Sequence, residues 1–224
     1  DKPSVVVGEQ VTLRCYVYFR VEHRGGIDRS PTAPDFMRID LHDNLAADGK
    51  IMTAIAGKVW FARALPITAL FPLRSGELHT GVAKGEFRVP YLRNRIVERV
   101  SNDAVVHVTE PRLTDRPPGY VPGTVGQFRL KAEVSPRQTR AGEAVAVKVT
   151  LRGRGALPNR LSLPEGTGVE WLSPEKHEQV DLQGGEVGGW RSFGYAVRFD
   201  KPGRIALGKV RLIFYDPRSA QYRT

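Results

Sequence analysis

Apolar residues recur at every second position through much of this chain, in short runs bounded by proline and glycine. Val11, Leu13, Cys15, Val17 and Phe19 share one parity between Val11 and Arg20. Between Phe36 and Leu41 the alternation sets Met37, Ile39 and Leu41 inward against Arg38 and Asp40. Phe128, Leu130, Ala132 and Val134 repeat the pattern, and after a turn at Ser135-Pro136 so do Val145, Val147, Val149 and Leu151. A period of two predicts half-buried antiparallel strands. Lys50–Ala56, Glu77–Val82, Phe87–Val89 and Ala104–Val108 read as further strands. Lys58–Phe71 is a longer apolar run interrupted by Pro66, and its Val, Trp, Phe, Ile and Thr content favours strand over helix. The polar stretch Val21–Pro34 and the segment Asn44–Gly49 read as loop and turn, and Arg93–Arg99 is mixed in character.

That gives about seven short strands in the first 110 residues, a spacing suited to a β-sandwich. The second half repeats the grammar. Gly142-Glu143-Ala144-Val145 answers Gly8-Glu9-Gln10-Val11, and Ala196-Val197-Arg198-Phe199 answers Ala69-Leu70-Phe71-Pro72. Glycine suits the turn that enters each strand, and the glutamate is free to bond the turn's amides. The expectation is an all-β chain of two tandem immunoglobulin-like antiparallel β-sandwiches. They would occupy residues 1–112 and 126–224, joined by a Pro/Gly-rich linker over 113–125.

Composition sharpens this only modestly. The chain has 224 residues and a net charge of +10. Residues 1–110 carry 15 basic and 13 acidic side chains, against 19 and 11 in residues 111–224, so the excess sits in the second half. Such an excess attracts nucleic acid or an anionic membrane surface when it is concentrated. Here Arg129, Arg137, Arg140, Arg152, Arg154, Arg160, Arg191, Arg198, Arg204 and Arg211 are scattered, as on the solvated face of a sheet. The single cysteine, Cys15, shares its parity with apolar neighbours and reads as a small buried hydrophobe. No apolar run reaches the roughly 20 residues that span a bilayer. Because the strand-like run Ser4–Val7 begins almost at residue 1, a signal, an anchor or further domains are expected outside the segment.

Motifs that carry chemistry are weak. His23, His42, His79, His107 and His177 are spread along the chain without metal-ligand spacing, and Asp40, His42 and Asp43 read as a strand end and polar turn. Gly153-Arg154-Gly155 resembles half of a phosphate-cradling loop but opens no helix. Ser75 belongs to a turn, and Glu165, Glu170 and Glu175 recur at a spacing that defines no common face. Trp171, Trp190, Tyr195 and Phe199 read as core. No catalytic residue, metal ligand or cofactor is assigned.

Several stretches nonetheless resemble BatD, the bacterial oxygen-tolerance family. They are Val7–Leu13, Ala69–Pro72 with Ser75–Leu78, Arg116–Pro118 with Gly123–Leu130, Gly142–Leu157, Trp190–Phe193, Pro202-Gly203 and Tyr215–Pro217. Arg152–Leu157 departs from the family's pattern. The resemblance implies a protein anchored in the cytoplasmic membrane with immunoglobulin-like domains in the periplasm. It also implies a complex with von Willebrand A and TPR membrane proteins that serves oxygen tolerance or envelope stress, without cofactor or small-molecule substrate.

Three functions follow as expectations. The first is a non-enzymatic interaction module whose recognition loops hold Arg24, Gly25, Gly26 and Asp28, and Gly184, Gly185, Glu186, Gly188 and Gly189. The second is an anion-binding module for nucleic acid or acidic lipid, using the basic second half. The third is a carbohydrate-binding module built on exposed Trp60, Trp171 or Trp190.

Overall fold

In the computed structural model the two Gly-Glu pairs close turns of the same construction. The structure describes residues 4–41, 50–93, 95–164, 166, 168–183 and 185–224. Val6 O accepts the Glu9 N–H at 2.9 Å, and Arg140 O accepts the Glu143 N–H at 3.1 Å. In each turn the glutamate carboxylate reaches back to the first residue's N–H, Val6 or Arg140, at 3.1 Å. The third residue is a glycine at positive φ, 83° at Gly8 and 85° at Gly142, which a side chain would oppose. Gly8 N–H then donates to Pro72 O and Gly142 N–H to Phe199 O. The register continues alike, with Val11 opposite Leu70 and Val145 opposite Val197. One supersecondary unit is thus used twice.

The Glu143 carboxyl lies below its ordinary range because the Thr139 hydroxyl and the Arg140 N–H both donate to it. A depressed folded-state pKa stabilises the fold above the unfolded value, about 4.3 for glutamate, and that contribution is lost as pH falls through the folded value. Glu143→Gln is therefore expected to flatten the loss of stability below about pH 4. Urea midpoints measured from pH 7 down to 2 check this.

The chain divides into two compact units, Asp1–Glu110 and Pro111–Thr224. The first holds β1 (Ser4–Val6), β2 (Val11–Leu13), β3 (Tyr16–Phe19), β4 (Arg24–Arg29), β5 (Phe36–Leu41) and β6 (Lys50–Ile55). It continues with β7 (Lys58–Ala64), β8 (Ile67–Pro72), β9 (Gly76–His79), β10 (Lys84–Val89), β11 (Arg95–Val100) and β12 (Val105–Thr109). Several are halves of longer strands. The ladders β2–β8–β5 and β3–β7–β6 have the same order and are joined by Leu65 N–H to Cys15 O. Opposite them, β1–β12–β9 and β11–β10–β4 are joined by Ser101 N–H to Ala83 O and Thr80 N–H to Ala104 O. At that junction Thr80, Ser101 and Asp103 supply the bonds that the interrupted ladder lacks. Among the described residues, the joined ladders form two layers: β2/β3, β7/β8 and β5 with β6 in one, and β1, β9/β10, β11/β12 and β4 in the other. Val5, Leu78, Val106 and Val108 of one sheet meet Phe36 and Leu70 of the other in the core.

The departures have physical causes. Val21–Pro34 is not all loop, since β4 pairs along β10 from Arg24 to Arg29. It is an edge strand with only Ile27 half-buried, so its composition is that of a loop. Met37 is 39% exposed while Phe36 is buried, the reverse of the expected parity, because Phe36 joins Leu70 on the core side of the edge strand β5. Arg95–Val100 forms β11, and β1 pairs with β12 in parallel, where only antiparallel neighbours were expected. Asn44–Gly49, His42, Asp43 and Glu165 lie outside the described residues.

The second unit contains β13 (Gly126–Ser135), β14 (Ala144–Gly155), β15 (Val169–Trp171), β16 (Glu175–Gln183), β17 (Glu186–Phe199), β18 (Phe214–Asp216) and β19 (Gln221–Arg223). The sheet runs β13–β14–β17, and β15 and β16 pair successive stretches of β17. Val145, Val147, Val149, Leu151, Phe193 and Val197 form its inner face, covered by Leu157 and Phe214. Among the described residues, the covering layer pairs through β18–β19 and the bridges Ser162–Arg211 and Val125–Tyr215. The stretch 113–125, expected as a linker, belongs to this unit. Val125 is fully buried, Tyr120 meets Tyr222 edge-on at 4.9 Å, and Thr124 O accepts the Tyr215 N–H. Among the described residues no α-helix occurs, and no helix is long and apolar enough to cross a membrane.

Candidate functional site

The residues expected in recognition loops serve mostly in strands. Arg24, Gly25, Gly26 and Asp28 lie in β4, where a side chain at Gly25 would meet the Glu86 carbonyl of β10. Glu186, Gly188 and Gly189 lie in β17, and the Gln183–Glu186 pair closes a tight hairpin through Gly185. Gly184 lies outside the described residues. Gly189 passes close to the Gln179 carbonyl of β16. Glu186 pairs with Arg218 at 2.9 Å and with Arg154 at 3.8 Å. The two sets belong to different units, and in each one glycine, Gly25 or Gly189, serves close strand approach, whereas Gly26 and Gly185 face open space.

A more informative surface is the ladder β3–β7–β6 in the first unit. Cross-strand partners share a face, so Tyr18, Ala62 and Ile51 form one row, with Tyr16 before it and Trp60 and Ile55 beyond. Tyr18 is 49% and Ile51 54% exposed, and Tyr16 and Ile55 are exposed with them. The tyrosine rings lie 6.2 Å apart, and Arg20 sits 5.8 Å from the Trp60 ring. On the reverse face Met52 and Val59 are also exposed. The sequence signal was apolar residues on both parities of short strands, as in Tyr16-Val17-Tyr18-Phe19 and Ile51-Met52.

Beside β3, between it and the β11–β10–β4 ladder, lies a cavity of about 350 Å³. Val17, Phe19, Ile27, Phe87 and Val97 supply much of its wall. His23 stands among them, edge-on to Phe19 at 4.6 Å and to Phe87 at 5.2 Å. Its Nδ1 lies 3.4 Å from Val21 O, and its buried Nε2 has no hydrogen-bond partner. Arg20 and Arg99 stand at the rim, while Lys50 and Arg63 lie 5.6 and 5.8 Å from the Phe19 ring. Cys15 lines the same cavity, half-buried, and burial raises its thiol above the ordinary range, which makes it a poor nucleophile near neutral pH.

Elsewhere the chemistry is structural. Asp40 accepts from Arg38 and Thr68, and Glu170 and Glu175 are exposed on β15 and β16. His79 pairs with Asp103 at 2.7 Å and His107 with Glu77 at 3.3 Å. Gly153 and Arg154 lie inside β14, paired to β13 and β17, so the phosphate-loop likeness has no structural counterpart. Among the described residues no group of three or more His, Cys, Asp or Glu is placed to hold a metal ion. Trp60, Trp171 and Trp190 are all half-buried. Trp171 packs edge-on to Tyr195 against the core, whereas Trp190 shares the outer-face row of Arg152 and Gln179 and so is not a core plug. Nine of the ten scattered arginines are exposed, and Arg191 is the exception. Comparison with protein-family models, curated proteins and solved structures finds no match.

Proposed function

We propose that this chain is a non-enzymatic interaction region, the periplasmic part of a membrane-anchored BatD-like protein, built from two immunoglobulin-like sandwiches. Strand order supports the fold reading. In immunoglobulin-like domains strands A, B, E and D form one sheet and C, F and G the other. The order β13–β14–β17 followed by β15 and β16 fits A–B–E–D. In the first unit, β2/β3, β7/β8 and β5/β6 fit B–E–D, and β4, β9/β10 and β11/β12 fit C–F–G.

One observation carries the functional reading: the exposed apolar row of Tyr16, Tyr18, Ile51 and Ile55. A contiguous apolar surface of this kind marks an interaction site more often than chance exposure does. Arg20 and Lys58 lie beside this row, so the complementary partner has an apolar patch bordered by carboxylates. By the sequence resemblance, that partner is a von Willebrand A protein of the same membrane system, with a TPR protein in the complex, serving oxygen tolerance or envelope stress. Detergent-solubilised host membranes passed over the immobilised chain at physiological salt are expected to leave the von Willebrand A protein bound. Its absence from the eluate, with the chain folded, overturns the assignment.

A second reading has its own support. Arg129, Lys131, Lys148 and Arg152 share the outer face of β13 and β14 with Glu133, which pairs with Lys131 at 2.7 Å and leaves a net positive patch. An acidic lipid surface or nucleic acid held there would dissociate steeply as salt rises.

A further inference from the structure

We infer that the cavity between β3 and the β11–β10–β4 ladder is a binding site for an amphiphile with one apolar chain and an acidic head group. Its volume, about 350 Å³, falls within the range of small-molecule sites, roughly 300–1,000 Å³, which are mostly apolar with a few placed polar groups. Val17, Phe19, Ile27, Phe87 and Val97 present hydrocarbon to the space, which suits an alkyl chain better than water.

His23 closes the wall edge-on between Phe19 and Phe87, so the polar end lies at the exposed rim. The rim selects the sign of charge. Lys50 is held by Glu22 at 2.8 Å, but Arg20 and Arg99 have no carboxylate within ion-pair distance among the described residues. An anionic head beside these guanidiniums gains charge-assisted hydrogen bonds. A quaternary ammonium head would meet repulsion.

The site touches the proposed partner surface at Tyr16 and Tyr18, but its apolar wall of Val17, Phe19, Phe87 and Val97 lies on the opposite face of β3 and on the facing ladder. Val97→Trp therefore tests the site without altering the outward row. The test is calorimetric titration of the purified chain with dodecanoate, dodecanol and dodecyltrimethylammonium, each below its micelle concentration. Dodecanoate is expected to bind at one site per chain, at least tenfold tighter than dodecanol, with no binding of the cation. Val97→Trp is expected to abolish binding by filling the space. Arg99→Gln, an exposed change that leaves the fold intact, is expected to weaken dodecanoate several-fold and leave dodecanol unchanged. Absence of dodecanoate binding, or binding indifferent to both variants, overturns the site. Equal affinity for dodecanol overturns the acidic head group, and a cavity filled only by a partner protein's side chain would give that first, negative result.

Discussion

Gly153→Ala is expected to destabilise the second unit by about 3 kcal/mol or more, the range of a severe overpacking change. A Cβ at Gly153 would overlap the Gln127 carbonyl across the ladder and come within 2.6 Å of Phe128 Cδ1. Neither neighbour can yield cheaply. The carbonyl belongs to the β13 backbone, and the buried Phe128 ring is held by Phe214, 5.3 Å away and edge-on. The same ring covers Gly126, where a Cβ would stand 2.8 Å from its Cζ. Phe128 thus fills the space that two glycines leave empty, a known way of shielding glycine in a sheet. Two controls separate crowding from backbone strain. Gly142→Ala meets no atom within 4 Å but sits at positive φ, and is expected to cost about 1–2 kcal/mol. Gly26→Ala meets open space and is expected to be near neutral. Urea midpoints followed by the fluorescence of Trp171 and Trp190 should rank Gly153 well above Gly142, and Gly142 above any second-unit control without positive φ. The Gly26 variant needs a first-unit probe such as Trp60.

Arg191→Ala is expected to cost about 2–3 kcal/mol, because charge-assisted hydrogen bonds contribute roughly 1.5–3 kcal/mol and their loss strands a buried acceptor. The Arg191 side chain is only 11% exposed. Its Nε and Nη2 both engage Glu178 Oε2, and its Nη1 donates to Leu157 O at 2.5 Å. One guanidinium therefore ties β17 to β16 and to the covering layer. Glu178 is half exposed and can return to water, so Glu178→Gln is expected to cost about 1 kcal/mol or less. Equal effects from the two variants would show that the Leu157 bond contributes little. Differential thermal unfolding of the two proteins measures this.

The strands and their order were legible where one face alone is buried. The odd positions from Val11 to Phe19 point inward while Arg14, Tyr16 and Tyr18 are exposed. The Gly-Glu repeat was legible because a positive-φ turn demands glycine and its carboxylate bonds the same turn. Other features were hidden for equally physical reasons. β4 buries almost nothing, so hydrophobic periodicity cannot reveal it. The segment 113–125 has the punctuation of a linker, yet Tyr120 and Val125 find partners about ninety residues or more away, at Tyr222 and Tyr215. Arg191 looks like its nine exposed counterparts, and only the approach of Leu157 O distinguishes it. Alternation ordinarily marks the core, and this hides the apolar face of β3–β7–β6, where Tyr16, Tyr18, Ile51 and Ile55 alternate toward solvent. His23 gave no signal, since its neighbours in the cavity come from β3, β10 and β11.

The central claim is that this outward row binds the partner. Its most direct test is the Kd of the purified von Willebrand A protein for the native chain and for the double variant Tyr18→Ser, Ile51→Ser, measured at physiological salt with unfolding midpoints as a control. Truncating two apolar side chains at the centre of an interface predicts a weakening of at least tenfold, about 1.4 kcal/mol, with the midpoint unchanged. An unchanged Kd in a folded double variant would contradict the claim and move the partner to another surface.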